Sequence, residues 1–132
     1  FNFLNRFTND YDYETKNYYV LVNKDAEYKK IADLNNKTTG FSKNLDSSSK
    51  NALNSLKKEI EIKVQEYAGL SEMLTDLNNG HIESVLIIDA FYDMLVESED
   101  ETISSTKILY KKVFQFNNIN VSLQKITSNQ LS

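Results

Sequence analysis

Hydrophobic positions recur along the chain with two periods, and their succession sketches the fold. Tyr18-Tyr19-Val20-Leu21-Val22 is a β-branched and aromatic run of strand length, closed by the turn cluster Asn23-Lys24-Asp25. Tyr28, Ile31 and Ala32 follow at helical spacing, which predicts a short helix. Thr38-Thr39-Gly40-Phe41 reads as a second, short strand. Asp46-Ser47-Ser48-Ser49 opens a helix, because Asp and Ser oxygens accept from the free N–H groups of a first turn. Ser49, Ala52, Leu53 and Leu56 form its buried stripe. From Ile60 the chain alternates through Gln65, the mark of a half-buried strand. Leu70, Met73, Leu74 and Leu77 stand at i, i+3, i+4 and i+7, the clearest helix in the sequence. Asn78-Asn79-Gly80 ends it, since Asn and Gly tolerate the left-handed conformation of a helix C-terminus.

Ser84-Val85-Leu86-Ile87-Ile88 is continuously apolar after its serine, as in a central strand covered on both faces. Phe91, Met94 and Leu95 continue as a helix, and Glu97 to Ser105 reads as an acidic loop. Lys107–Phe116 and Ile119–Ile126 read as closing strands around an Asn117-Asn118 hairpin turn. Strands alternating with helices imply an α/β fold: a mostly parallel sheet, helices on both faces, and a terminal antiparallel hairpin. The expected organisation is a lead-in over residues 1–17, one lobe over 18–126 and an exit linker over 127–132. No internal repeat or low-complexity tract interrupts it.

Composition narrows the function classes. The 132 residues suit one domain with its own core. No apolar run reaches the length of a membrane span, so no membrane contact by this segment is expected. The first ten residues lack the basic start and apolar stretch of a signal peptide. The absence of cysteine excludes disulfides and thiolate zinc sites, and the lone His81 argues against a histidine-rich metal centre. No metal and no cofactor are expected. A net charge of −4 argues against nucleic-acid binding by bulk charge. Lysine outnumbers arginine 14 to 1, asparagine occurs 16 times and proline is missing, a bias of AT-rich bacterial genomes. Because the chain begins without methionine, a fragment of a longer protein is expected.

No catalytic residue is expected. The chain has no phosphate-binding loop, no dinucleotide fingerprint and no nucleophile elbow, and Gly40 stands alone after its strand. The candidate ligand site is the turn from Phe41 to Ser49, where Ser42, Lys43, Ser47 and Ser48 supply donors. It joins a strand to a helix N-terminus at the carboxyl edge of the sheet, where ligands of open α/β sheets bind. Capping by Asp46 or Ser47 explains the same residues without a ligand. Asp89 follows the buried strand and either faces the same cleft or caps the next helix. The run Glu97-Ser98-Glu99-Asp100-Glu101 reads as a solvated loop and His81 as an exposed loop residue. Tyr18, Tyr19, Tyr67 and Tyr92 either form a ring-stacking platform or pack with their hydroxyls at the rim.

The stretch Tyr18 to Tyr92 resembles one lobe of a bacterial extracellular solute-binding protein of the amino-acid type. Ile31-Ala32-Asp33-Leu34-Asn35-Asn36-Lys37-Thr38-Thr39-Gly40 is similar to that family's "I-x-D-L-x-G-K-x-V-G" segment, with Asn36 where glycine is usual. Glu66-Tyr67, then Leu74, Leu77 and Asn79-Gly80-His81-Ile82-Glu83-Ser84-Val85, resembles "E-Y … L-x-x-L-x-N-G-x-I-D-A-V", with Glu83 in place of aspartate. The pattern Tyr18 to Phe116, then Val121-Ser122-Leu123-Gln124-Lys125-Ile126-Thr127, also resembles the single-lobe accessory domain and exit strand of LytR–CpsA–Psr cell-envelope proteins of Firmicutes. That resemblance implies a non-catalytic domain on the extracellular face of a membrane-anchored parent. Its partners would be the parent's catalytic domain, which transfers glycopolymers to peptidoglycan, and a cell-wall component. The family's arginine-rich lipid-phosphate residues have no counterpart here, where Arg6 is the one arginine. The alternative the residues leave open is a ligand-binding lobe of a transporter-associated solute-binding protein.

Overall fold

The structure is a computed structural model that describes residues 13–42 and 48–117. The chain divides into two compact units. One is Asn17–Lys112; the other joins Phe1–Lys16 with Val113–Ser132, of which residues 13–16 and 113–117 are described. Strands β1 (Tyr13–Asn23), β2 (Thr38–Phe41), β3 (Lys63–Glu66), β4 (Ser84–Ile88) and β5 (Thr106–Asn117) form a five-stranded sheet in the order β3-β2-β4-β1-β5. The helices are α1 (Ser49–Glu59), α2 (Leu70–Asn78), α3 (Asp89–Glu97) and the single turn α4 (Glu101–Ser104).

β2 runs parallel to β3 and to β4, while β1 runs antiparallel to β4. The sheet is thus mixed, and the described antiparallel pairing comes from the first strand. The expected hairpin partner, Ile119–Ile126, lies outside the described residues.

Side-chain alternation sorts the core onto two faces. Leu21, Val85 and Ile87 meet Met73, Leu74 and Leu77 of α2, with Ile82 and Ile103 completing the cluster. Tyr19, Phe91, Tyr92 and Leu95 pack at its border. The opposite face, under α1, carries Tyr18, Val20, Val22, Leu86 and Ile88, and α1 turns Ala52, Leu53 and Leu56 toward the protein interior. Full burial of each such aliphatic side chain stabilises by ~1.5–3 kcal/mol relative to exposure. Gly40 lies on the α2 face. A Cβ there would stand 2.7 Å from Ile82 Cδ1 and 3.0 Å from Met73 Cγ, so close packing of helix on strand fixes this glycine.

The strands at 38–41 and 84–88, the α1 stripe and the α2 stripe follow the sequence expectation. Gly80, at φ +78, ends α2 in the left-handed region. Other elements differ for local reasons. The helix expected around Tyr28–Ala32 is a single 3-10 turn, Ile31–Leu34. Asn36, standing where the solute-binding segment has glycine, takes φ +64 and turns the chain into β2 before a longer helix can propagate. β3 begins at Lys63 and not at Ile60. Ile60 is buried just after α1, and Glu61 is held by bonds to Asn35 and Asn36, of 2.9 and 2.6 Å. The expected loop at 97–105 contains α4, because Asp100 accepts from Thr102 N–H at 2.9 Å and Ile103 is drawn into the core. β1 starts five residues before the expected Tyr18, at Tyr13.

Candidate functional site

The strand order places one crevice. From β2 the chain passes through α1 to β3 on one side, then through α2 on the other face to β4 on the far side of β2. The connections leave the ends of β2 and β4 in opposite directions, which opens a topological switch point between them. Ser42 follows β2 there and Asp89 follows β4. Because β1 is antiparallel, its residues Asn17 and Tyr18 reach the same edge, with Tyr18 opposite Ile88.

Each side chain has a definite partner or lack of one. The Tyr18 hydroxyl and Ser48 Oγ share a hydrogen bond of 2.7 Å, and both residues are buried. Ser48 occupies the N-cap position of α1, yet its side chain makes no cap bond to the helix backbone. The first N–H groups of α1 are therefore not capped by that hydroxyl. Ser42 is 2% exposed, and its Oγ has no hydrogen-bond partner among the described residues. A buried hydroxyl without a partner is uncommon.

Asp89 is the first residue of α3, with Ile88 in the N-cap position, so the expectation that it caps the helix is corrected. Its Oδ2 accepts instead from Asn17 Nδ2 at 3.1 Å. The helix dipole still favours its charge. The structure thus gathers Ser42, Ser48 and Asp89 at one edge and adds Asn17 and Tyr18, which the sequence reading did not place there. Lys43, Ser47 and the capping role of Asp46 or Ser47 lie outside the described residues.

The tyrosines form no common platform. Tyr18 is fully buried on the α1 face, away from the rim, while Tyr19 meets Tyr92 edge-on at 5.1 Å on the other. Tyr67 donates to Asp76 Oδ2 at 2.6 Å, and exposed His81 approaches Asp76 Oδ1 at 3.2 Å. Burial and the Asp76 bond push the Tyr67 phenol up to about 12. The bonds from Tyr67, then His81, hold the Asp76 carboxyl below its usual range. Within the acidic run Asp100 caps α4, while Glu97, Glu99 and Glu101 face solvent. Among the described residues no group of His, Cys, Asp and Glu has a metal-binding arrangement, and no helix is long and apolar enough to cross a membrane.

No protein-family model matches the sequence, and no curated protein matches it. Solved structures do resemble it. A substrate-binding domain assigned to an amino-acid ABC transporter of Streptococcus pneumoniae superposes with a TM-score of 0.58 at 20% identity, over 91% of this chain and 59% of its own. The fold is a solute-binding-protein-like lobe. ArtJ of Geobacillus stearothermophilus, an arginine-, lysine- and histidine-binding protein, gives 0.58 at 14% identity over 83% of this chain and 49% of its own. Substrate-binding domain 2 of Lactococcus lactis GlnP, in its open conformation, gives 0.57 at 18% identity over 83% and 46%. The lobe therefore spans about half the length of these structures, consistent with the solute-binding segments quoted above.

Proposed function

We propose that the chain is a non-catalytic ligand-binding lobe of an amino-acid-type solute-binding protein acting outside the cell membrane. The observation that carries this reading is the edge between β2 and β4. There the start of α1, the Ser42 hydroxyl, which has no hydrogen-bond partner among the described residues, and the Asp89 carboxylate stand at one edge of the sheet. A helix N-terminus with hydroxyls suits a carboxylate, and an aspartate suits an ammonium group. Together they match the two charges of a free amino acid. Asp89 keeps one carboxylate oxygen for such a ligand while Asn17 holds the other.

One lobe leaves a small ligand open to water on its far side, which forfeits much of the burial behind tight binding. The chain alone should bind free amino acids no more tightly than ~1 mM, about −4 kcal/mol. The test is an NMR titration of the chain with an amino-acid panel. Millimolar shifts confined to Ser42, Ser48 and Asp89, and lost in Asp89→Ala, support the proposal. No shift at these residues with any amino acid at tens of millimolar rejects it.

The other reading, an accessory domain of a LytR–CpsA–Psr protein set against its catalytic domain or a cell-wall component, rests on the sequence resemblance alone. A parent sequence that continues into that catalytic domain would favour it. Turnover of a lipid-pyrophosphate-linked glycan by the chain itself would contradict both readings.

A further inference from the structure

We propose that the groove between α3 and α4 is a docking surface for a basic segment of a partner protein that carries an aliphatic side chain. The groove encloses about 380 Å³ within the Asn17–Lys112 unit. Tyr92, Val96 and Ile103 form its apolar part, and Glu99, Asp100, Ser104 and Thr106 line the rest. Tyr92 and Val96 stand four apart on α3 and share a face, so one helix supplies a continuous apolar strip. Val96 is 49% exposed, as is Met94 on the same helix, unusual for two large apolar residues on a helix that buries none completely.

Charge decides what fits. From Asp93 to Ser105 the sequence holds five acidic residues, Asp93, Glu97, Glu99, Asp100 and Glu101, and no lysine or arginine. Asp93 and Glu97 are exposed along α3 beside the apolar strip, and Glu99 and Asp100 lie in the groove itself. Of the lysines that follow in the chain, Lys107 Nζ donates to the Ala26 carbonyl at 2.7 Å, Lys112 lies 3.6 Å from Glu59, and Lys111 lies 5.9 Å over the Tyr19 ring, which meets the groove residue Tyr92 edge-on. A groove with an apolar strip and carboxylates that make no salt bridge among the described residues takes an aliphatic side chain flanked by lysine or arginine, and repels an acidic segment. Glu99 sits at φ +56, the left-handed region that favours glycine or asparagine, so the chain keeps a carboxylate where backbone conformation argues against it. Neither Ser42, Ser48 nor Asp89 lines this groove, so the inference is independent of the amino-acid reading.

The probe is a synthetic twelve-residue peptide of lysine and leucine, titrated into the full chain by NMR and calorimetry. Its analogues replace every lysine by glutamine or every leucine by alanine. The parent peptide should shift Tyr92, Val96, Ile103 and Ser104, and both analogues should bind at least on the order of tenfold more weakly. Val96→Ser should weaken the parent peptide on the order of fivefold. Glu99→Gly should weaken it about threefold while preserving the fold, because glycine suits that backbone. Equal binding by the alanine analogue, shifts outside the groove, or no binding overturns the proposal. So does light scattering that shows the groove filled by a second copy of the chain.

Discussion

Beneath α2 the sheet presents Gly40, Leu21, Val85 and Ile87 to an all-apolar helix face. Beneath α1 the same strands present hydroxyls: Thr39 Oγ1 pairs with Ser84 Oγ at 2.7 Å, and Tyr18 pairs with Ser48 at 2.7 Å. All four residues are buried. The first face is governed by volume, the second by direction. Apolar packing asks that side chains fill the space without overlap, whereas a buried hydroxyl must find a partner or leave its desolvation cost uncompensated. Thr39 and Ser84 are Cα partners, so their bond helps fix the β2–β4 register, and Tyr18 ties the start of α1 to β1. Both devices lock the strands whose ends border the crevice.

Breaking the apolar face should cost most. Leu74→Ala opens a cavity between α2 and the sheet and should lower stability by ~2–5 kcal/mol, read as a lower urea midpoint. Gly40→Ala errs in the opposite direction, by overpacking, and should cost ~1–3 kcal/mol. Adding Ile82→Val should restore part of that loss if the 2.7 Å approach is its cause.

The hydroxyl face should respond differently. Thr39→Val strands the Ser84 hydroxyl and should cost ~1–3 kcal/mol, while Thr39→Val with Ser84→Ala should return close to the parent protein. A double variant as unstable as the single one would show that volume governs this face too. Ser42→Ala should be smaller still, neutral or slightly stabilising in urea, because it removes a buried hydroxyl that has no partner among the described residues.

The smallest effect tests the Tyr67–Asp76–His81 cluster, whose Tyr67 packs against the border of the α2-face core. Tyr67→Phe removes the bond that most lowers the Asp76 carboxyl, so Asp76 should titrate at higher pH by NMR. A lowered folded-state value stabilises above the ordinary carboxylate range and is lost as pH falls through it. The stability gap between parent and variant should therefore narrow on acidification. On the alkaline side the raised Tyr67 phenol contributes below its ordinary range of ionisation, and that contribution is lost through about 12.

Much of this fold was legible because its long periodic elements are strongly patterned. Met73, Leu74 and Leu77 announced α2, and Ser84–Ile88 announced a strand buried on both faces. What escaped was set by single side chains acting on backbone. Asp100-x-Thr102 signals an N-cap inside a run that otherwise reads as solvated charge, and Ile103 was its one apolar clue. Asn36 in the left-handed region cut a helical pattern down to one turn. Asp89 looked like a cap because aspartate often is one, but the helix begins on that residue. Three of the five residues at the candidate site, Ser42, Ser48 and Asp89, were singled out in the sequence because they follow strands or open helices. The rest was not, because Asn17 and Tyr18 join it through contacts 72 and 30 residues away in sequence.

The placement of β1 has a kinetic consequence. It precedes every other described strand in the chain, yet it lies between β4 and β5. β2 and β3 can pair once α1 has formed, but β1 must wait for β4, and β5 must wait for β1. Closing so long a loop costs chain entropy before the strand pairing compensates for it, so this insertion paces folding. Until it happens, Tyr18-Tyr19-Val20-Leu21-Val22 is an unpaired, strand-forming apolar run. On a ribosome it emerges well before the residues that will cover it, so it needs protection from aggregation until they arrive.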